Sequence, residues 1–181
     1  MTRRAAFLDR DGVINLDRGY VYRWEDFAFV PGAVDAMRRL QDAGYALLVV
    51  TNQSGIARGY YDEASLLGLH EALRAHLADQ GVQLAAIEYC PHLPGAPLAR
   101  YAIDCDCRKP APGMILRAAR ALDLDLAASL MFGDKPSDIE AAQRAGVGRA
   151  VLVATDARPE AAKGESPEFA SLAAAVDALL P

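Results

Sequence analysis

Residues 5–12 read AAFLDRDG and residues 45–55 read YALLVVTNQSG. In both stretches an uninterrupted apolar run stops abruptly at polar residues, which predicts strands at Ala5–Leu8 and Tyr45–Val50. Short continuous apolar runs are typical of strands that are covered on both faces, as in a parallel sheet. Shorter runs of the same kind predict three further strands, at Leu84–Tyr89, Ser129–Phe132 and Arg149–Val153.

Helical patterns fill the segments between these strands. They run over Ala33–Asp42, Asp62–Asp79, Gly113–Leu122, Ser137–Ala145 and Ala170–Leu180. Regular alternation of strands and helices predicts an α/β fold, a Rossmann-like three-layer sandwich with a parallel sheet, in a single domain over residues 1–181. The short gap between Gly12 and the first helix leaves no space for a large cap domain, and the polar segment Thr155–Pro167 is expected to be a surface loop.

Composition excludes several classes of protein. The chain of 181 residues has 52% hydrophobic residues, a formal charge of -5 and a pI of about 5.2, which argue against nucleic acid or an anionic membrane as the main partner. No apolar run near the N-terminus is long enough for a signal peptide or a membrane span. Three thiols kept for metal would suit a reducing compartment, so we expect a cytoplasmic protein. A monomer is the simplest expectation.

Polar residues follow the predicted strands where each strand ends. Asp9 and Asp11 follow the first strand, Thr51 follows the second, and Asp134 follows the fourth. In open parallel sheets ligands bind outside the carboxyl ends of the strands, so these side chains are expected to meet at one edge. The carboxylates and the hydroxyl each have a task in phosphoryl transfer, and so does the cation of Lys109.

The carboxylates supply both metal ligands and reactive groups. Paired carboxylates suit Mg²⁺, which prefers oxygen ligands and often bridges to a substrate phosphate. Asp9, at the tip of the strand, is best placed to attack phosphorus, and Asp11 can protonate the leaving alkoxide and later activate water. Asp134 is the expected further Mg²⁺ ligand, and Thr51 offers a hydroxyl and a backbone amide.

A second metal site is predicted in the loop at about residues 90–107. All three cysteines of the chain lie there with one histidine, as Cys90, His92, Cys105 and Cys107. Four such donors match the tetrahedral coordination of a structural Zn²⁺. The alternatives are ordinary reduced cysteines or a disulfide between the two cysteines of the C-x-C pair, which would be strained. Zinc would fix the cations that follow, Arg108 and Lys109.

Four segments together resemble a known superfamily. DRDGV, TNQSG, the lysine of CDCRKP and GDKPSD are similar, in this order, to the four motifs of the haloacid dehalogenase superfamily of phosphohydrolases. The resemblance implies that Asp9 is the nucleophile and Asp11 the acid/base, and that Thr51 and Lys109 steady the phosphoryl group. It also implies Mg²⁺ between Asp9, the backbone carbonyl of Asp11 and Asp134, with Asp138 behind them as a supporting residue.

The zinc loop narrows the resemblance to one branch. That branch holds D-glycero-D-manno-heptose-1,7-bisphosphate 7-phosphatases and histidinol-phosphate phosphatases, and NQSGIARGYY with GDKPSD resembles the heptose side. A small phosphosugar substrate is implied, of either anomer. The implied substrate contacts are Asp17, Arg18, Gly19, Tyr20, Thr51, Asn52, Gln53, Ser54, Arg108, Lys109 and Lys135.

Two other classes of protein remain as alternatives. A receiver-type phosphoacceptor domain also places Asp, Thr and Lys at the ends of parallel strands, but its phosphorylated Asp follows a middle strand and it has no zinc loop. A zinc module that binds nucleic acid is disfavoured by the acidic pI. His70 and His76, six positions apart on one predicted helix, are expected on its surface rather than at a metal.

Overall fold

A computed structural model describes residues 3–154 and 168–180. Five strands alternate with five helices, as predicted. The strands are β1 (Ala5–Leu8), β2 (Ala46–Asn52), β3 (Leu84–Cys90), β4 (Leu130–Gly133) and β5 (Arg149–Leu152). The helices are α1 (Ala33–Asp42), α2 (Glu63–Asp79), α3 (Gly113–Leu122), α4 (Pro136–Ala145) and α5 (Leu172–Leu179).

The strands form one parallel sheet in the order β3-β2-β1-β4-β5. β1 is therefore central, and it pairs with β2 from Ala5 opposite Ala46 and with β4 from Ala6 opposite Leu130. The four residues of β1 are fully buried, which explains why AAFL carries no polar side chain. The predicted α/β fold with a parallel sheet is confirmed.

Helices cover both faces of this sheet. On one face α1, α5 and the C-terminal half of α2 pack against Ala6, Leu8 and Val49. On the other face α3 and α4 pack against Phe7, Leu48 and Met131. Alternate residues of each strand enter opposite cores, because successive side chains of a strand point to opposite faces.

The ends of some elements differ from the predicted ends. β2 continues to Asn52, so that Thr51 lies within the strand rather than after it. α5 begins at Leu172, because Ser171 accepts a hydrogen bond from the Ala174 N–H and so caps the helix. Between β1 and α1 the chain contains a short 3-10 turn, Trp24–Asp26, and no cap domain. The loop predicted at Thr155–Pro167 lies outside the described residues.

Candidate active site

The site lies at the carboxyl edge of the sheet. Asp9 follows β1, Thr51 is the last but one residue of β2, and Asp134 follows β4. Lys109 reaches this edge from the loop before α3. Asp9 and Lys109 are each only 4% exposed, and Asp134 is 1% exposed. The carboxylates and the cation predicted from separate motifs are thus brought together in a site largely shielded from bulk water.

Lys109 is the centre of the charged contacts. Its Nζ lies 2.9 Å from Asp9 Oδ1 and 2.6 Å from Asp138 Oδ1. It also donates a hydrogen bond of 2.7 Å to the Val50 carbonyl. Burial by itself lowers the pKa of a lysine, but the two carboxylates outweigh it and hold the pKa of Lys109 above its ordinary value. The ammonium stays charged at any working pH.

Both oxygens of the Asp138 carboxylate are engaged within the protein. One of its oxygens is engaged by Lys109, and Oδ2 accepts hydrogen bonds from the N–H groups of Asp134 and Lys135 at 3.1 and 3.0 Å. Gly133 permits this approach, because a Cβ at that position would lie 2.2 Å from the Cβ of Asp138. The glycine of GDKPSD is therefore required by packing.

The carboxylates of Asp9, Asp134 and Asp138 lie within 4.8 Å of one another. Burial raises the pKa of Asp9, and the neighbouring Asp138 raises it further. Burial also raises the pKa of Asp134 to about 8, with a second contribution from Asp9. Three carboxylates share two nearby ammonium groups, those of Lys109 and Lys135, so the cluster is short of positive charge. Its oxygen ligands are those that Mg²⁺ prefers. The donor set fits the predicted magnesium site.

The Asp11 side chain lies beside this cluster and is held at both oxygens. Its Oδ1 accepts hydrogen bonds from Arg10 at 3.1 Å and from Asn15 at 3.0 Å, and its Oδ2 accepts one of 3.1 Å from Gln53 Nε2. Burial raises the pKa of Asp11, but the Arg10 guanidinium and these hydrogen bonds outweigh burial and leave the pKa below its ordinary value. Without substrate Asp11 is an ionised, oriented carboxylate.

Arg10 and His70 form a buried contact that sequence reasoning missed. Arg10 is fully buried, donates to the Val21 carbonyl, and places its Nη1 3.1 Å from His70 Nε2. The expectation that His70 lies on the surface was wrong, since it is only 3% exposed. The signal was present, because His70 lies on the stripe of α2 that also buries Leu66, Leu73 and Leu77.

A cavity of about 250 Å³ opens beside Asp11. Eight of the residues predicted to contact metal or substrate line it: Asp11, Asp17, Gly19, Tyr20, Asn52, Gln53, Ser54 and Lys135. Lys135 Nζ lies 3.9 Å from Asp17 Oδ2, so these two charges face each other beside the cavity. The cavity lining is mainly polar, as expected for a site that takes a hydroxylated, charged ligand.

Four other predicted substrate contacts lie outside this lining: Arg18, Thr51, Arg108 and Lys109. Arg18 is exposed. Thr51 is 1% exposed, and its Oγ1 accepts a hydrogen bond of 2.9 Å from Gln53. Arg108 lines a second cavity of about 150 Å³, together with Lys109 and Cys105, and donates to the His92 carbonyl at 3.3 Å. Arg108 thus lines a cavity that Lys109 also lines, and its contact with substrate stays a prediction.

Paired tyrosines join the loop after β1 to the loop after β2. Tyr20 and Tyr60 meet edge to face with ring centroids 4.8 Å apart, and Tyr22 stacks on Tyr61 at 4.7 Å. Gly55 leaves space for these rings, since a Cβ there would lie 2.2 Å from a ring carbon of Tyr61. Tyr61 also lines the cavity and was missed by sequence reasoning.

The donor atoms of Cys90, His92, Cys105 and Cys107 form one cluster. The recorded distances between them run from 2.9 to 3.7 Å, with His92 directing Nδ1 inward. Tetrahedral zinc with Zn–S bonds of about 2.3 Å separates its ligand atoms by about 3.8 Å, so the four donors lie somewhat closer together than in a loaded site. Their number and kind are those predicted for zinc. All three cysteines are free, which does not support the alternative of a C-x-C disulfide.

Comparison with known proteins agrees with this geometry. A family model described as HAD-hydrolase-like matches residues 106–178. A D-glycero-beta-D-manno-heptose-1,7-bisphosphate 7-phosphatase of Photorhabdus laumondii is 54% identical over 151 residues, covering 83% of this chain and 80% of the relative. The enzyme of the same name from Escherichia coli K12 is 53% identical over 151 residues, with 83% and 79% of the two chains covered.

A solved structure of a heptose bisphosphate phosphatase is also similar to this chain. The D,D-heptose 1,7-bisphosphate phosphatase of B. bronchiseptica, crystallised with magnesium and phosphate, is 38% identical and superposes with a TM-score of 0.82. The match covers 98% of each chain. In the described part of this chain, no helix is long and apolar enough to cross a membrane. By these relatives the chain belongs to the heptose-1,7-bisphosphate phosphatase family of the haloacid dehalogenase superfamily, and it is a phosphoric monoester hydrolase.

Proposed function

We propose that this enzyme removes the 7-phosphate of D-glycero-β-D-manno-heptose 1,7-bisphosphate through an aspartyl-phosphate intermediate. The observation that carries the proposal is the buried group of Asp9, Lys109 and Asp134, with Asp11 held beside it at the wall of the cavity. The substrate is inferred from the names of the relatives, which specify the β anomer.

In the first step the Asp9 carboxylate attacks phosphorus, and the bond from phosphorus to the C7 oxygen breaks. Lys109 orients the attacking carboxylate through its 2.9 Å contact and offers positive charge to the transferring group. The Thr51 hydroxyl and the backbone at the end of β2 help to hold the phosphoryl oxygens. Mg²⁺, when held by Asp9, Asp134 and the backbone carbonyl of Asp11, supplies further positive charge at the phosphate.

Asp11 serves as the acid and then as the base. It gives its proton to the departing alkoxide, and in the second step it takes a proton from the water that attacks the aspartyl phosphate. Inorganic phosphate leaves and Asp9 is regenerated, so the sum of the two steps is hydrolysis. The lowered pKa of Asp11 suits its role as a base in the second step. In the first step the anionic phosphate bound nearby raises this pKa, so that Asp11 can hold the proton that it donates.

The zinc loop has a structural role in this proposal. Four protein donors complete a tetrahedral site and leave no position for a reacting water, which distinguishes structural zinc from catalytic zinc. Zinc then fixes the backbone from which Arg108 and Lys109 extend. Clustered free thiols need a reducing compartment, so we place the enzyme in the cytoplasm. That it acts as a monomer stays a prediction.

A panel of substrates tests the proposal. Phosphate release is measured for both anomers of the heptose bisphosphate, for histidinol phosphate and for fructose 1,6-bisphosphate, with Asp9→Asn as the blank. We expect the highest kcat/KM for the β anomer, and ³¹P NMR should show that the 1-phosphate remains. Preference for histidinol phosphate, or loss of the 1-phosphate first, would contradict the substrate assignment and leave the phosphatase chemistry intact.

A further inference from the structure

A chain of hydrogen bonds runs from Tyr61 to two residues of the reaction. The Tyr61 hydroxyl donates to Gln53 Oε1 at 2.5 Å. The Nε2 of Gln53 donates to Asp11 Oδ2 at 3.1 Å and to Thr51 Oγ1 at 2.9 Å. Gln53 therefore donates both N–H groups of its side-chain amide to catalytic side chains, and its carbonyl oxygen accepts a hydrogen bond from Tyr61.

Burial makes this arrangement sensitive to the loss of one partner. Gln53 is 3% exposed and Tyr61 is 9% exposed, so little water can replace a missing hydrogen bond. Leaving the Gln53 carbonyl without a donor in such a place is costly, and the amide would turn to find another. Because an ionised carboxylate only accepts hydrogen bonds, any turn of the amide removes a donor from Asp11.

The Tyr61 hydroxyl is itself rigidly placed. Its ring stacks on Tyr22 with an interplanar angle of 9° and lies against the backbone of Gly55. Burial raises the pKa of Tyr61, so the phenol stays protonated and remains a donor. A fixed donor at this point defines the position of the Gln53 amide.

We propose that Tyr61 is a positioning residue for proton transfer, which acts through Gln53 to fix the Asp11 carboxylate. This inference rests on the proposed function, since it takes Asp11 as the acid. It gives Gln53, implied by resemblance to contact substrate, a second role inside the site.

The test compares substrates with poor and good leaving groups. Tyr61→Phe keeps the ring and removes only the hydroxyl, and it should lower kcat for the heptose bisphosphate by about tenfold, as one lost hydrogen bond implies, with little change in KM. The pre-steady-state burst of p-nitrophenol from p-nitrophenyl phosphate reports the first step alone, and its leaving group needs no proton. That burst should change by less than about twofold.

Tyr22→Phe is the matched control. It retains the ring that stacks on Tyr61, and its hydroxyl makes no hydrogen bond to the part of the chain that the structure describes, so activity should stay near that of the wild type. Gln53→Met removes the intermediate amide. If Tyr61 acts through Gln53, adding Tyr61→Phe to Gln53→Met should cause no further loss, which a double-mutant cycle measures.

Full additivity in that cycle, equal losses for both substrates, or a Tyr61→Phe enzyme as active as the wild type would each overturn the inference. Asp11→Asn separates this outcome from failure of the proposed function. If Asp11→Asn lowers turnover of the alkyl substrate far more than the burst with the aryl substrate, while Tyr61→Phe does not, only the role of Tyr61 is refuted. If Asp11→Asn shows no dependence on the leaving group, the assignment of the acid itself fails.

Discussion

Replacing Lys109 by methionine should strongly destabilise the metal-free protein. The ammonium makes contacts of 2.9 and 2.6 Å with the buried carboxylates of Asp9 and Asp138, and methionine fills similar space without charge. Removing one partner of a buried ion pair typically costs about 3–5 kcal/mol, because the remaining charge has no compensation. For a chain of this size that loss corresponds to a decrease in Tm of roughly 6–20 °C.

Thermal unfolding in the presence of a chelator measures this effect, and Lys135→Met is the matched control. Lys135 is close in space and sequence, but its side chain is 56% exposed and its ion pair with Asp17 spans 3.9 Å, so its loss should cost less than about 1 kcal/mol. Equal Tm values for the two variants would refute the central role assigned to Lys109.

The loss of stability in Lys109→Met should increase with pH. The pKa of Asp9 is already raised by burial and by Asp138, and loss of Lys109 raises it further. A carboxyl group whose folded pKa exceeds its unfolded pKa costs stability as the pH rises, because the folded state must give up a proton that it holds more tightly. The deficit of Lys109→Met should therefore be larger at pH 8.5 than at pH 6.

Four further outcomes are expected. Asp9→Asn should abolish turnover in every assay while circular dichroism shows an intact fold, because the amide cannot attack phosphorus; clear residual turnover would exclude the covalent mechanism. Asp11→Asn should slow hydrolysis of the sugar phosphate by about 10²-fold or more, and it should slow the first-step burst with an aryl phosphate much less. Cys107→Ser should lose about one equivalent of zinc by elemental analysis, with raised KM, lower kcat and lower Tm; a zinc-free wild type with normal activity and melting would contradict this. Burial, with Arg10 nearby, lowers the pKa of His70 from 6.5 to about 3, so stability should fall as the pH drops below 6.5. His70→Gln should remove about 2 kcal/mol of that loss between pH 7 and pH 5 in urea unfolding, and parallel curves for the two proteins would argue against a buried neutral histidine.

The fold was largely predictable because its signals are local. The sequence itself shows the apolar runs of β1 and β2 and the glycines that follow the helices. Because the carboxyl ends of parallel strands meet at one edge of the sheet, these elements place Asp9, Thr51 and Asp134 together. The roles of these residues stay predictions, although the structure brings the side chains into the arrangement that those roles require.

Other features depend on tertiary packing, which local sequence patterns do not predict. Asp138 and Lys109 are close only because α4 starts beside the loop that precedes α3. Gln53 was expected to contact substrate, but both protons of its amide are used within the protein, a fact that side-chain geometry alone reveals. His70 was misjudged because its position was compared with that of His76 rather than with the apolar stripe of α2.

The central position of β1 has a consequence for biosynthesis. Both neighbours of β1 come later in the chain, β2 directly and β4 only after the whole zinc loop and α3. At about 5–20 residues per second, translation delivers β4 on the order of 10 s after β1. Until then one edge of a fully apolar strand, Ala5–Leu8, lacks its native partner on the ribosome. An unpaired apolar edge invites association between nascent chains. Chaperone protection during this interval should therefore raise the yield of active enzyme more than protection of the finished chain.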